Sequence, residues 1–222
     1  IEILGGPNQL QINFFAVVGS KKTILVDTGM AQQAPESIAS LSEVIDLANL
    51  DYIFLSHLDG EHMGGVKVLL ELAPKARILS NLSVFGQGTG IYQFPPERCT
   101  VVFPGEEIDL GDRKLRVLDS LVEDGHTSWL FDSQSRILFS SDAFGIVHLG
   151  PVNYFAEEVP TEAFVGGFMM WQSIAFNVWS QLDIQKFRRE VETMQLLNIK
   201  QIATVHGPVI RQDVSRAFEL LS

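Results

Sequence analysis

Residues 54–65 read FLSHLDGEHMGG. Four side chains of metal-ligand type, His57, Asp59, Glu61 and His62, crowd into six positions at the end of the apolar run DYIFLS, residues 51–56. If the chain leaves a strand here as a loop, alternate side chains point the same way as the pleat runs out. Imidazole nitrogen and carboxylate oxygen offered together are donors for a divalent metal. A solvated acidic loop is the alternative for this segment taken alone. The zinc helix HExxH is excluded, because Gly60 and Gly64 stand where its two histidines would be.

The chain holds five histidines, His57, His62, His126, His148 and His206. His57, His126 and His206 sit at or just after strand-like runs, and strand ends are where a layered domain gathers distant residues into one site. Outward from the opening motif, strands are predicted over 10–18, 23–27, 51–56, 76–80, 99–103, 114–120 and 201–205, with a hairpin built from WLFD and RILFSSD ending at Asp142. Helices are predicted over 34–48, over VKVLLELA from Val66, and over the closing DVSRAFELL. Asp183 reads as an N-cap ahead of an apolar stripe of Ile184, Phe187, Val191 and Met194, closed by Asn198. Strands and helices alternate without a linker or repeat, so residues 1–222 are expected to form a single mixed α/β domain.

Composition narrows the function classes. At 46% hydrophobic the chain can bury a large core without disulfides, and its one cysteine, Cys99, reads as a core residue beside TVVF rather than a nucleophile. A net charge of −11 argues against non-specific nucleic-acid binding, which needs basic surface. No basic segment followed by an apolar one opens the chain, so no signal peptide is read and a cytoplasmic location is expected. Ile1 in place of Met suggests that upstream residues are missing. The uncharged run AFVGGFMMWQSIAFNVWSQL, residues 163–182, carries Gln172, Asn177 and Gln181 and reads as a buried or interface helix, not a membrane span. Serine-hydrolase and P-loop patterns are absent, and Gly86-x-Gly88-x-x-Ile91 lacks the third glycine of a dinucleotide fingerprint.

Five motifs in order, Asp27-Thr28-Gly29, His57 to His62, Gly125-His126-Thr127, Ser141-Asp142 and His206-Gly207-Pro208, resemble the metallo-β-lactamase superfamily. GEEIDLGDRKLRVLDS, residues 105–120, is similar to that superfamily's strand pair. The resemblance implies a four-layer αβ/βα sandwich with a binuclear metal site at one edge. Hydrolases of the superfamily usually carry H-x-H-x-D-H, whereas here Asp59 holds the second place. A carboxylate there resembles the flavodiiron branch, H-x-E-x-D-H with an iron pair, as do Ser140 to Gly145 and Ala203 to Pro208.

The sequence departs from that branch in three ways. The Glu and Asp positions are exchanged, and GHTSW around His126 is closer to the general superfamily. No flavodoxin segment follows, so no flavin is expected in this chain, as in the stand-alone oxygen-binding diiron proteins.

The resemblance implies that His57, Asp59 and His126 hold one iron and Glu61, His62 and His206 the other, with Asp142 bridging. In some flavodiiron members the histidine matching His62 does not reach the metal. Three carboxylates against two ferrous ions leave a net charge of about +1, and hard oxygen donors suit iron or manganese where imidazole-rich sites suit zinc. His148 is either a donor beside bound oxygen or a surface residue, and Tyr154 is a weaker candidate of the same kind. Phe144, Trp129, Trp171 and Trp179 would limit water access if they line the pocket.

Three functions follow. The leading one is a non-haem diiron protein that binds or reduces dioxygen or nitric oxide, an oxidoreductase fed by a separate electron donor. A binuclear zinc-type hydrolase of a thioester, lactone or phosphoester is the alternative, favoured by GHT and disfavoured by Asp59. The third is an oxygen sensor with a signalling partner, for which the 163–182 segment would suit a homodimer contact.

Overall fold

The computed structural model describes residues 8–9, 11–91, 94–122, 126–149, 153–176 and 179–222. Gly125 of the GHT motif and Asn177 of the apolar run lie outside them. In chain order the elements are β1 (Asn8–Gln9), β2 (Phe15–Val18), β3 (Thr23–Val26), α1 (Ala34–Val44), β4 (Tyr52–Phe54), α2 (Gly60–Met63), α3 (Val66–Leu72), β5 (Arg77–Ser80) and α4 (Leu82–Ile91). Then come β6 (Cys99–Val101), β7 (Glu107–Asp109), β8 (Lys114–Asp119), β9 (Ser128–Asp132), β10 (Ile137–Phe139), β11 (His148–Leu149), α5 (Thr161–Ala175), α6 (Ile184–Gln195), β12 (Gln201–Ala203) and α7 (Val214–Leu221). The chain divides into two compact units, one of residues 14–119 with 125–130, the other of residues 1–13, 120–124 and 131–222.

In the first unit β2 to β6 form a sheet in sequence order, with β2 antiparallel to β3 and the rest parallel. Ile24, Leu25 and Val26 are all buried, as are Ile53 and Phe54 and then Ile78 and Leu79. Uninterrupted apolar runs of this kind belong to parallel strands covered on both faces. Leu25, Ile53, Leu55, Val66, Leu69, Ile78 and Val84 make the core. Arg98 reaches back to the carbonyls of Leu70, Ala73 and Ala76, closing the end of α3. The Cys99 thiol is half-buried against this core, and burial pushes its pKa up, away from thiolate reactivity. β7 and β8 of the same unit pair antiparallel, in register from Glu107 opposite Arg116 to Asp109 opposite Lys114.

In the second unit β10 runs parallel to β12, and β1 pairs antiparallel with β11. α6 follows the predicted stripe at Phe187, Val191 and Met194, whereas Ile184 is exposed. The Asp183 carboxylate accepts from the Gln185 and Lys186 amides, the N-cap expected. Asp183→Ala should therefore cost about 1 kcal/mol in thermal or denaturant unfolding. α5 ends at Ala175, short of the 163–182 run, and buries only Gly167, Phe168, Trp171 and Gln172. Met169, Met170 and Ile174 face solvent. Among the described residues no helix is long and apolar enough to cross a membrane.

Two differences from the expected elements bear on function. Residues 11–13 do not continue the strand that begins at Phe15, because the Gln11 carbonyl and the Asn13 side chain are spent on the Thr204–Gly207 turn. Helix α4 replaces a stretch read only as a failed dinucleotide motif. Its three glycines, Gly86, Gly88 and Gly90, hide it, each being worth about 1 kcal/mol less than alanine in a helix.

Candidate metal centre

β3 and β4 run parallel with Val26 opposite Phe54, so the chain emerges from neighbouring strand ends at Asp27 and at Leu55 to His57. Asp27 adopts a left-handed backbone, φ 60°, which aspartate tolerates better than most residues. Its carboxylate accepts from the Ser56 amide at 2.8 Å and the Ser56 hydroxyl at 2.7 Å. It also lies 3.2 Å from His62 Nδ1, with both side chains fully buried. A carboxylate there accepts a hydrogen bond from Nδ1–H and leaves the Nε2 lone pair of His62 for a metal, the usual second partner of a ligating histidine.

Asp59 to Met63 do not alternate along a loop. Asp59 is the N-cap of α2, and Glu61 and His62 occupy successive positions of that helical turn. The turn forms because Gly64 and Gly65 let it close on residues 28–31: a Cβ at either would collide with the backbone of Gly29 and Ala31 or of Thr28. Thr28 secures the junction, its hydroxyl donating to the His62 carbonyl and accepting from the Gly65 amide. On this turn a carboxylate oxygen of Glu61 and a ring nitrogen of His62 lie within 4.8 Å of one another. His57 Nε2 is 3.5 Å from the Asp59 carboxylate, and its Nδ1 is 2.7 Å from the Thr127 hydroxyl. The His57 and His62 rings meet edge to face at 5.3 Å. His126 is held by Asn81, which donates to its carbonyl, and its Nδ1 lies 3.3 Å from the Gln87 amide. The first unit thus brings together His57, Asp59, Glu61 and His62, with His126 on the strand-leading segment that also supplies Thr127.

The second unit supplies Asp142 and His206. Asp142 sits in a turn after β10 between two left-handed residues, Ser141 at φ 53° and Phe144 at φ 63°. Such backbone costs about 1–3 kcal/mol per residue and is found where surrounding contacts enforce it. Here the Val205 amide and Thr204 hydroxyl donate to the Ser141 carbonyl, and the Ser140 hydroxyl donates to the Ala143 carbonyl. His206 follows β12, is fully buried, and bridges to Ile12. The Asn13 amide donates to the carbonyls of Thr204 and Gly207, fixing the turn from the far side. His206 Nε2 lies 3.1 Å from Asp142 Oδ1.

Sequence reasoning passed over Asp27, Ser56 and Thr127 as partners of the ligand-type histidines. Of these, Asp27 and Thr127 stood inside motifs already singled out. His148 is buried on β11 opposite Gln9, so the surface reading does not hold, and Tyr154 is 73% exposed. Phe144 packs against Phe168 and Phe218, while Trp171 lies on the His206 ring at 4.4 Å. Trp129 is buried, and Trp179 packs on Phe187.

The donor set fits a metal: imidazole and carboxylate groups meet at 3.1 Å in one unit and 3.5 Å in the other. His57 and His62 each have the second ring nitrogen engaged by an oxygen. These carboxylates and imidazoles suit iron, manganese or zinc.

Comparison with known proteins agrees with this reading of the motifs. A nitric oxide reductase of Moorella thermoacetica is 27% identical over 208 residues, covering 93% of this chain and 51% of its own. The anaerobic nitric oxide reductase flavorubredoxin of Vibrio vulnificus is also 27% identical over 208 residues, covering 91% and 41% respectively. The chain therefore spans about half, or less, of the length of these relatives. Among solved structures, the rubredoxin oxygen:oxidoreductase of Desulfovibrio gigas superposes with a TM-score of 0.82 at 19% identity, over 95% of this chain and 52% of that one. The mixed α/β fold implied by the motifs is thus the fold found. The model described as the metallo-beta-lactamase superfamily matches residues 7–197, and the chain belongs to that superfamily, with its relatives on the flavodiiron side.

Proposed function

We propose that the protein is a non-haem diiron protein that binds or reduces nitric oxide or dioxygen, with its electrons coming from a separate donor. The observation that carries this is the carboxylate Asp59 where the superfamily's hydrolases have histidine, in a chain matched over 93% of its length by a relative named nitric oxide reductase. In this reading residues 1–222 act as one domain. His57, Asp59 and His126 hold one iron, Glu61, His62 and His206 the other, and Asp142 bridges. A ferrous pair would supply electrons and vacant positions for a diatomic ligand.

The chain's own residues do the rest. Asp27 keeps the proton on His62 Nδ1, Thr127 engages His57 Nδ1, and the Ser141–Phe144 turn presents the Asp142 carboxylate. The hydrolase reading keeps one point in its favour, the His126-Thr127 pair of the general superfamily pattern.

Anaerobic purification, metal analysis and then admission of oxygen separate the two. A pair of irons per chain and a new ligand-to-metal absorption band on exposure to oxygen are expected. A pair of zinc ions with no spectral change would sink the diiron reading, zinc having no redox chemistry. Consumption of oxygen or nitric oxide with a reduced flavoprotein or rubredoxin then distinguishes a reductase from a sensor.

A further inference from the structure

Trp171 contacts both members of the Asp142–His206 pair in the second unit. Its indole lies over the His206 ring, with centroids 4.4 Å apart and planes at 44°. Its Nε1 donates to the Asp142 carbonyl at 2.7 Å. That carbonyl also accepts from the Gly145 amide at 3.2 Å, so the peptide of Asp142 is tied from two directions. Trp171 is buried, where an indole N–H needs a partner, and it has no acceptor capacity of its own.

The placement is built into the backbone. A Cβ at Gly145 would run into the indole, and one at Gly167, four residues before Trp171 on α5, would run into the carbonyl of Val147. The Val147 amide in turn donates to the Gly167 carbonyl. Helix α5 therefore docks on residues 145–147 through two glycines, which fixes the height at which Trp171 enters. The Ser141–Phe144 turn, with its two left-handed residues, is the kind of backbone that relaxes when an outside contact is withdrawn.

We propose that Trp171 is a positioning residue for the metal centre: by gripping the Asp142 peptide and covering the His206 ring, it holds this ligand pair in register. The proposal rests on Asp142 and His206 being metal ligands. A tryptophan that only fills the core would be replaced by phenylalanine with little consequence for a metal. A clamp would not, because phenylalanine keeps the ring contact and loses the N–H to Asp142.

Cobalt(II) tests this, since its visible bands report coordination geometry independently of turnover. It is titrated anaerobically into metal-free wild type, Trp171→Phe and Trp179→Phe. The last is the matched control: Trp179 likewise donates its indole N–H to a backbone carbonyl, that of Gln172. Thermal unfolding of each metal-free protein is recorded alongside, and Trp171→Phe, which retains a buried ring, avoids the cavity that alanine would leave. The expected result is that wild type and Trp179→Phe bind alike. Trp171→Phe should lose about 10- to 100-fold in affinity, chiefly in one of two binding steps, with shifted cobalt bands.

Wild-type affinity and bands in Trp171→Phe would overturn the clamp while leaving the metal reading standing. Equal losses in Trp171→Phe and Trp179→Phe would overturn it too, by making the effect one of general packing. Failure of wild type to bind cobalt would remove the ligand reading itself, and the clamp with it.

Discussion

Asp142→Asn should leave the protein folded and without either metal. The side chain is only slightly exposed, and its Oδ1 stands 3.1 Å from His206 Nε2. Asparagine has the same shape and preserves the turn, whose left-handed residues are Ser141 and Phe144 rather than Asp142 itself. What it removes is the negative charge and one of two equivalent donor oxygens. In the proposed centre this carboxylate is shared, so both ions lose a ligand at once. Loss of a partner outside the ligand set already weakens metal binding by about 10- to 100-fold, and loss of a shared ligand must exceed that. The measurement is metal content per chain, with thermal midpoints recorded with and without added metal. Wild type gains about 2.7 kcal/mol when free metal stands at a hundred times its dissociation constant, whereas the variant should show no metal-dependent shift. A full pair retained in Asp142→Asn would refute the bridging role.

How much of this was legible in the sequence depends on the distance over which each feature is decided. TILV, DYIF and RILS read directly as strands because burial on both faces leaves their apolar runs unbroken. The N-cap at Asp183 is equally local. The ligand-type residues could be picked out one by one as histidines and carboxylates at strand ends. Their local geometry could not: Asp59 to His62 form a helical turn, because Gly64 and Gly65 allow it to press against residues 28–31. Residues 11–13 look like strand yet are drawn to the Thr204–Gly207 turn by Asn13, some 190 positions away. α4 was invisible because its three glycines oppose a helix that tertiary contacts nevertheless stabilise, its start capped by the Asn81 side chain. Trp171 belongs to the same class, since nothing in FMMWQS indicates that one aromatic meets Asp142 and His206.

Asp27→Ala should strongly destabilise the metal-free protein. The carboxylate is almost completely buried and faces three hydrogen-bonding groups, the Ser56 amide, the Ser56 hydroxyl and His62 Nδ1. Removing one side of such a buried set costs about 3–5 kcal/mol, because the groups left behind cannot reach water. Alanine at φ 60° adds backbone strain of roughly 1–2 kcal/mol. For a chain of this size each kcal/mol lowers the midpoint by about 2–4 °C, so a fall of roughly 10–20 °C is expected. Asp27→Asn separates the two contributions. Asparagine accepts the left-handed backbone and can still accept one hydrogen bond, so its loss should be less than half that of alanine. Yet it no longer offers a charged acceptor to His62, so its metal affinity should fall by about 10- to 100-fold, as for any lost outer partner of a ligating histidine. Ser56→Ala removes the hydroxyl's contacts to Asp27 and to His62 Nδ1 but leaves the Asp27 carboxylate beside that nitrogen, so it should cost about 1 kcal/mol with metal binding intact. If Asp27→Asn bound metal as wild type does while Asp27→Ala unfolded early, Asp27 would be a fastener of the β3–β4 strand ends alone, with His62 oriented by other contacts such as the Ser56 hydroxyl 3.2 Å from its Nδ1.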